Sequence, residues 1–75
     1  MGSKYPVLPP EEILKALQKI GFCKVSQKGS HVKFRKYGEP VKNVIIPMHD
    51  EVAKGTLQSI LEQAGITIEE FKELL

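Results

Sequence analysis

Polar and apolar residues alternate from His31 to Tyr37, and this alternation constrains the fold more than any other stretch of the chain. Successive side chains on a β-strand point to opposite faces, so the pattern predicts a strand that is buried on one face only. The apolar face carries Val32 and Phe34. The other face carries an imidazole, two cations and an aromatic ring, from His31, Lys33, Arg35 and Tyr37. One buried and one solvated face is typical of an antiparallel sheet.

Helical patterns flank this strand. Residues 11–20 and residues 54–64 both place apolar side chains at helical spacing, and a glycine follows each segment. Thr67 and Glu70 have the spacing of a capping box, which predicts a short third helix from Ile68 to the C-terminus.

Three strands are predicted between the first two helices, over residues 22–27, 30–37 and 41–46. Turn signals at Lys28-Gly29 and Gly38-Glu39-Pro40 separate them. The third strand is apolar on both faces, so its periodicity does not indicate which face is buried. The predicted fold is α+β, with the order α-β-β-β-α, a short extra C-terminal helix, and helices on one face of a three-stranded antiparallel sheet.

A chain of 75 residues makes one domain, expected over residues 11–75 behind an extended, proline-containing N-terminal arm of residues 1–10. The single cysteine, Cys23, excludes an internal disulfide and suits a reducing cytoplasm. We expect Cys23 to be a small buried hydrophobe. No apolar run approaches the roughly 20 residues of a membrane span, so no membrane partner is expected.

The net charge of +2 conceals an uneven distribution. Residues 22–42 hold six basic residues against one acid, a net of +5, and the remainder holds five against eight, a net of −3. Basic charge concentrated in one region favours a surface that binds a polyanion over an ordinary solvated strand face.

His31 and His49 are the candidate acid–base residues. A histidine among cations suits a phosphodiester, where charge must be neutralised and protons moved, but His31 could also be an ordinary solvated strand residue. His49 could be a second acid–base group, a phosphate ligand or a loop histidine paired with Asp50, and the sequence alone favours the last. No metal site is expected, because the histidines and acids lack a ligand spacing such as i, i+4 on a helix.

Four blocks of sequence stand in order along nearly the whole chain and together resemble one family. They are Gly21-Phe22, Gln27 with Gly29-Ser30-His31, Ile46-Pro47 with His49, and Gly55-Thr56-Leu57 through Thr67 followed by Glu70-Phe71. In this order and at these spacings the chain resembles the HicA toxins of bacterial and archaeal toxin–antitoxin systems.

The resemblance implies a fold like that of a double-stranded-RNA-binding domain and a ribosome-independent endoribonuclease that cleaves mRNA. It also implies a HicB-like antitoxin that neutralises the toxin. The histidine of Gly-Ser-His is the family's catalytic residue, which corresponds to His31, and the family's second histidine corresponds to His49.

The sequence therefore predicts the toxin of a type II toxin–antitoxin system, an RNase that needs neither a metal nor another cofactor. Attack by the RNA's own 2′-hydroxyl is the simplest route, because the chain offers no obvious protein nucleophile. The residues expected to bind RNA are Lys28, Gly29, Ser30, Lys33, Arg35, Lys36 and Tyr37. The alternatives are a non-catalytic RNA-binding module of the same fold and a domain whose basic face meets an acidic protein.

Overall fold

The computed structural model describes residues 5–75 and has the element order α-β-β-β-α-α. The helices are α1 (Pro10–Gln18), α2 (Lys54–Ala64) and α3 (Ile68–Glu73), and the strands are β1 (Cys23–Lys28), β2 (His31–Lys36) and β3 (Lys42–Pro47). Every predicted element is confirmed, with ends that agree to within two residues. Among residues 5–75, no helix is both long enough and apolar enough to cross a bilayer.

The sheet is an antiparallel meander in the order β1-β2-β3. Lys28 of β1 pairs with His31 of β2, so Gly29 and Ser30 form a two-residue hairpin loop, one residue later than predicted. Gly29 has a φ of 58°, which a glycine adopts without steric cost and which tight hairpin turns require.

One face of the sheet forms the core together with all three helices. The sheet contributes Val32, Phe34, Val44 and Ile46, and the helices contribute Ile13 and Leu17 from α1, Leu57 and Ile60 from α2, and Phe71 from α3. Each of these side chains is at most 2% exposed. The helices therefore cover one face of the sheet, as predicted. In β3, Val44 and Ile46 face inward and Ile45 is 43% exposed. The buried face of this strand, which its periodicity does not indicate, is therefore the one that carries Val44 and Ile46.

β1 lies beyond the area that the helices cover, and all six of its residues are exposed. The expectation that Cys23 is buried is therefore wrong. Its thiol is exposed and donates to the main-chain carbonyl of Arg35, with 3.5 Å between Sγ and O. An edge strand without a helix above it cannot bury a side chain on either face.

The two edges of the sheet differ. On the outer edge of β3, the Ile45 amide donates to Oε1 of Gln63, a residue of α2, at 3.2 Å. Pro47 lies two residues further along the same edge and has no N–H to offer. Among the residues that the structure describes, no further strand lies beyond β1 at the opposite edge.

Local signals fix the ends of α2 and α3. Gly65 ends α2 in the left-handed conformation, with a φ of 76°, as predicted. The capping box of α3 is confirmed, because Oγ1 of Thr67 accepts from the Glu70 amide at 3.0 Å and the Glu70 carboxylate accepts from the Thr67 amide at 2.8 Å.

Candidate active site

The two histidines of the chain lie together on the face of the sheet that the helices leave open. His31 begins β2 and pairs with Pro47 at the end of β3, and His49 follows Pro47 by two residues. Their ring centroids are 6.4 Å apart and their ring planes meet at 76°, an edge-to-face arrangement. Both side chains are exposed. The structure thus brings together two histidines that are 18 positions apart in the sequence.

The loop that carries His49 is anchored on both sides. Before it, the Met48 amide donates to the Ser30 carbonyl in the hairpin turn next to His31. After it, the Val52 amide donates to the Leu8 carbonyl at 2.7 Å, and these two residues form an isolated antiparallel bridge. His49 is therefore held near His31 by backbone contacts on each side of it.

Leu8 belongs to the predicted N-terminal arm. Residues 1–4 of that arm lie outside the described residues, and its last residue, Pro10, is the first residue of α1. Leu8 packs partly buried against the core, and Val52 is 2% exposed. No sequence pattern predicts this bridge, because a single pair of residues has no periodicity.

His49 is not paired with Asp50, which is the reading that the sequence alone favoured. Among residues 5–75, no hydrogen bond or ion pair joins them. Asp50 has a φ of 48°, in the left-handed region that aspartate tolerates better than most residues. Within the same residues, no group of three or more His, Cys, Asp or Glu side chains is placed to hold a metal ion.

The open face continues along β2 with Lys33 and Arg35. Nε of Arg35 donates to Oδ1 of Asn43 on β3 at 2.8 Å, and its guanidinium carbon lies 5.7 Å from the centroid of the Tyr37 ring. Lys33 lies in register between Ser26 of β1 and the exposed Ile45 of β3. Within the described part of the chain, neither cation forms an ion pair with a carboxylate, so their charge is available to a ligand.

Only half of the basic residues between positions 22 and 42 share the face of His31. Lys28 lies directly across from His31, and Lys33 and Arg35 follow it along β2. Gly29 and Ser30 form the turn beside it. The other three basic residues lie on the opposite face, as strand alternation and register require. They are Lys24, Lys36 and Lys42.

Contacts confirm this division. Nζ of Lys24 donates to Oε1 of Gln27 at 2.7 Å. The aliphatic chain of Lys36 lies against Gly21 after α1, where a Cβ on the glycine would be 3.5 Å from Cε. Nζ of Lys42 lies beside Gly65 at the end of α2. The Lys42 ammonium thus lies where a cation interacts favourably with the dipole at the C-terminus of α2.

Asn43 is a site residue that the sequence did not indicate. It pairs with Arg35 across β2 and β3, and it holds the guanidinium by the hydrogen bond to Nε. The register of the second hairpin would have revealed it, but the register cannot be read from a strand that is apolar on both faces.

The chain matches the sequence model of a known protein family. A sequence model described as the HicA toxin of bacterial toxin–antitoxin systems matches residues 10–66, about three quarters of the chain. The chain belongs to the HicA toxin family, the toxins of toxin–antitoxin systems in which an antitoxin is the partner. The matched region includes all three strands and both histidines, and it ends before α3. No curated protein matches the chain.

Proposed function

We propose that this protein is the toxin of a type II toxin–antitoxin system and that it acts as an endoribonuclease on mRNA. The observation that carries the proposal is the exposed pair of imidazoles, His31 and His49, with 6.4 Å between their ring centroids. Two adjacent histidines can divide the two proton transfers of phosphodiester cleavage between them. mRNA as the substrate places the protein in the cytoplasm.

In the proposed reaction, His31 removes the proton from the 2′-hydroxyl of the RNA as that oxygen attacks phosphorus. His49 donates a proton to the 5′-oxygen as its bond to phosphorus breaks. The products are a 2′,3′-cyclic phosphate and a 5′-hydroxyl end, so atoms and charges balance without a protein nucleophile, a metal or a cofactor. The attacking group belongs to the substrate, and the reaction gains from its fixed position next to phosphorus.

The surrounding charges suit a phosphodiester. Lys28 lies across from His31 in the hairpin, and Lys33 follows two positions later on the same face. Cations at these positions neutralise phosphates of the bound strand and stabilise the negative charge that grows in the transition state. Three cations, the turn residues Gly29 and Ser30, and Tyr37 make up the proposed RNA surface.

The proposal is tested by incubating the purified protein with a defined RNA in the presence of EDTA and mapping both new ends. We expect cleavage that EDTA does not abolish, with cyclic phosphate and 5′-hydroxyl ends. A 2′-deoxy substitution at the cleaved nucleotide should prevent cleavage at that bond. Binding without cleavage would instead support the alternative, a non-catalytic RNA-binding module.

We further propose that a HicB-like antitoxin neutralises the protein by covering the face that carries His31. A small reading frame directly adjacent to the gene is the simplest indication of this partner. The purified complex should not cleave RNA, and His31 should be shielded in it. A complex that blocks cleavage and leaves this face open would contradict the mechanism of inhibition.

A further inference from the structure

We infer that Tyr37 and the guanidinium of Arg35 form a stacking platform for an unpaired base, and that the substrate is single-stranded RNA lying along β2 between this platform and the histidine pair. The inference deepens the proposed RNase function and rests on it. It assigns to Tyr37 a specific role, which is recognition of a base some distance from the bond that is cut.

The platform consists of an exposed ring and a cation held over one of its faces. Tyr37 is 63% exposed, more than any other large hydrophobic side chain that the structure describes. The Arg35 guanidinium carbon lies 5.7 Å from the ring centroid, and its Nε is held by Asn43. Aromatic rings and guanidinium planes are the groups on which proteins stack unpaired bases. An aromatic ring that contributes nothing to the core is available for this role.

The distance between platform and histidines gives the length of the bound strand. Tyr37 lies six positions after His31, which corresponds to roughly 20 Å along an extended strand. Lys33 and Arg35 lie between them on the same face, so a cation occurs at every second residue along the path. A phosphate backbone that follows β2 would therefore meet cations along its way and place a base on Tyr37 several nucleotides from the histidines.

A duplex cannot use this surface in the same way. In double-stranded RNA each base is stacked between its neighbours, and proteins recognise the duplex by shape, 2′-hydroxyls and phosphates rather than by base faces. Attack by the 2′-hydroxyl also requires that it line up with the leaving 5′-oxygen, which the regular duplex backbone prevents. The platform and the proposed chemistry thus both select an unpaired strand, although the fold resembles a double-stranded-RNA-binding domain.

The first experiment measures binding in the His31→Ala background, in which cleavage is expected to be about 10²- to 10⁴-fold slower. Fluorescence anisotropy gives Kd for a single-stranded RNA and for the duplex of the same sequence at one salt concentration. We expect tighter binding of the single strand. Tyr37→Ala should weaken that binding by roughly 5- to 150-fold, the usual effect of losing one stacked base, and Tyr37→Phe should bind as the parent does. Val41→Ala removes another exposed apolar side chain and serves as the matched control.

The second experiment locates the stacked base. A set of RNAs, each lacking the base at one position, is measured with the same protein, and the positions are numbered from the bond that the active protein cuts. We expect one sensitive position several nucleotides from that bond, and Tyr37→Ala should abolish this sensitivity. Equal or tighter binding of the duplex, or an unchanged Kd for Tyr37→Ala, would overturn the inference. Cleavage is not needed for the Kd measurements, so failure of the platform and failure of the RNase proposal are separate results.

Discussion

The imidazole of His31 meets that of His49 edge-on, with 6.4 Å between the ring centroids. This relationship follows from the register of the second hairpin, in which His31 pairs with Pro47, and from the contact of Met48 with the first hairpin turn. The family match covers both histidines.

Replacing His31 with alanine should cut cleavage by about 10²- to 10⁴-fold, the usual contribution of a general acid or base. The side chain is exposed and forms no hydrogen bond within the described chain, so the free energy of unfolding should change by no more than about 0.5 kcal/mol. RNA affinity should persist because the cations remain. Single-turnover cleavage, anisotropy and thermal denaturation measure the three quantities. Loss of stability with unchanged cleavage would show that the histidine is structural.

Replacing His49 with alanine tests the second proton transfer. If one histidine accepts a proton and the other donates one, the wild-type rate should pass through a maximum with pH, and His49→Ala should lose one side of that profile as well as activity. The measurement is the cleavage rate across the pH range in which the variant stays folded. If His49→Ala abolishes cleavage and His31→Ala cleaves normally, the assignment of His31 is wrong although the enzyme class stands.

Removing a cation should lower the salt dependence of RNA binding only if that cation lies on the face of the sheet that carries His31. Each phosphate contact on a single strand contributes about 0.7 to the slope of log K against log salt, so replacing Lys33 and Arg35 together with alanine should reduce the slope by about 1.4. Lys36→Ala is the matched control, since Lys36 lies on the other face against Gly21. A reduced slope for Lys36→Ala would instead support the sequence-based assignment of this lysine to the RNA surface.

The glycine in the first turn of α2 and the glycine that follows its last residue should respond to alanine in opposite directions. Gly65 has a φ of 76°, and a Cβ there would lie 2.6 Å from Nζ of Lys42, so Gly65→Ala should destabilise the fold by about 1–2 kcal/mol, mainly through backbone strain. Gly55 lies in the first turn of α2 with open space where its Cβ would be, so Gly55→Ala should stabilise by about 0.5–1 kcal/mol. Urea denaturation of the two variants measures both. Equal changes in the free energy of unfolding for the two variants would contradict backbone strain at position 65.

Local signals in the sequence predicted most of the fold. Alternation along β2 identified its buried face, and the Thr67 capping box identified the start of α3, because both depend on neighbouring residues. Burial of Cys23 was predicted wrongly because it depends on how far the helices extend across the sheet. A helix layer that covers β2 and β3 but not β1 leaves no pattern in the sequence of β1.

The candidate site could be predicted only where it depends on residues that are neighbours in the sequence. His31 and its companions on one face follow from alternation within a single strand. The proximity of His49, the support that Asn43 gives to Arg35, and the Leu8–Val52 bridge each depend on pairing between separate segments. Alternation places Lys36 on the face of Val32 and Phe34 rather than that of His31, and its assignment to the RNA surface stays a prediction.

The unequal edges of the sheet limit how copies of this chain could aggregate. Of the three amide positions on the outer edge of β3, Pro47 has no N–H and the Ile45 amide is bound to Gln63, which leaves at most Asn43 as a donor. Within the described part of the chain, the addition of a strand is therefore favoured beside β1 over β3. Two copies joined there would form a six-stranded sheet ending in a β3 edge on both sides. A continuous cross-β fibre of folded molecules would also need strands to add at the β3 edge, where Pro47 and the Ile45–Gln63 hydrogen bond oppose pairing.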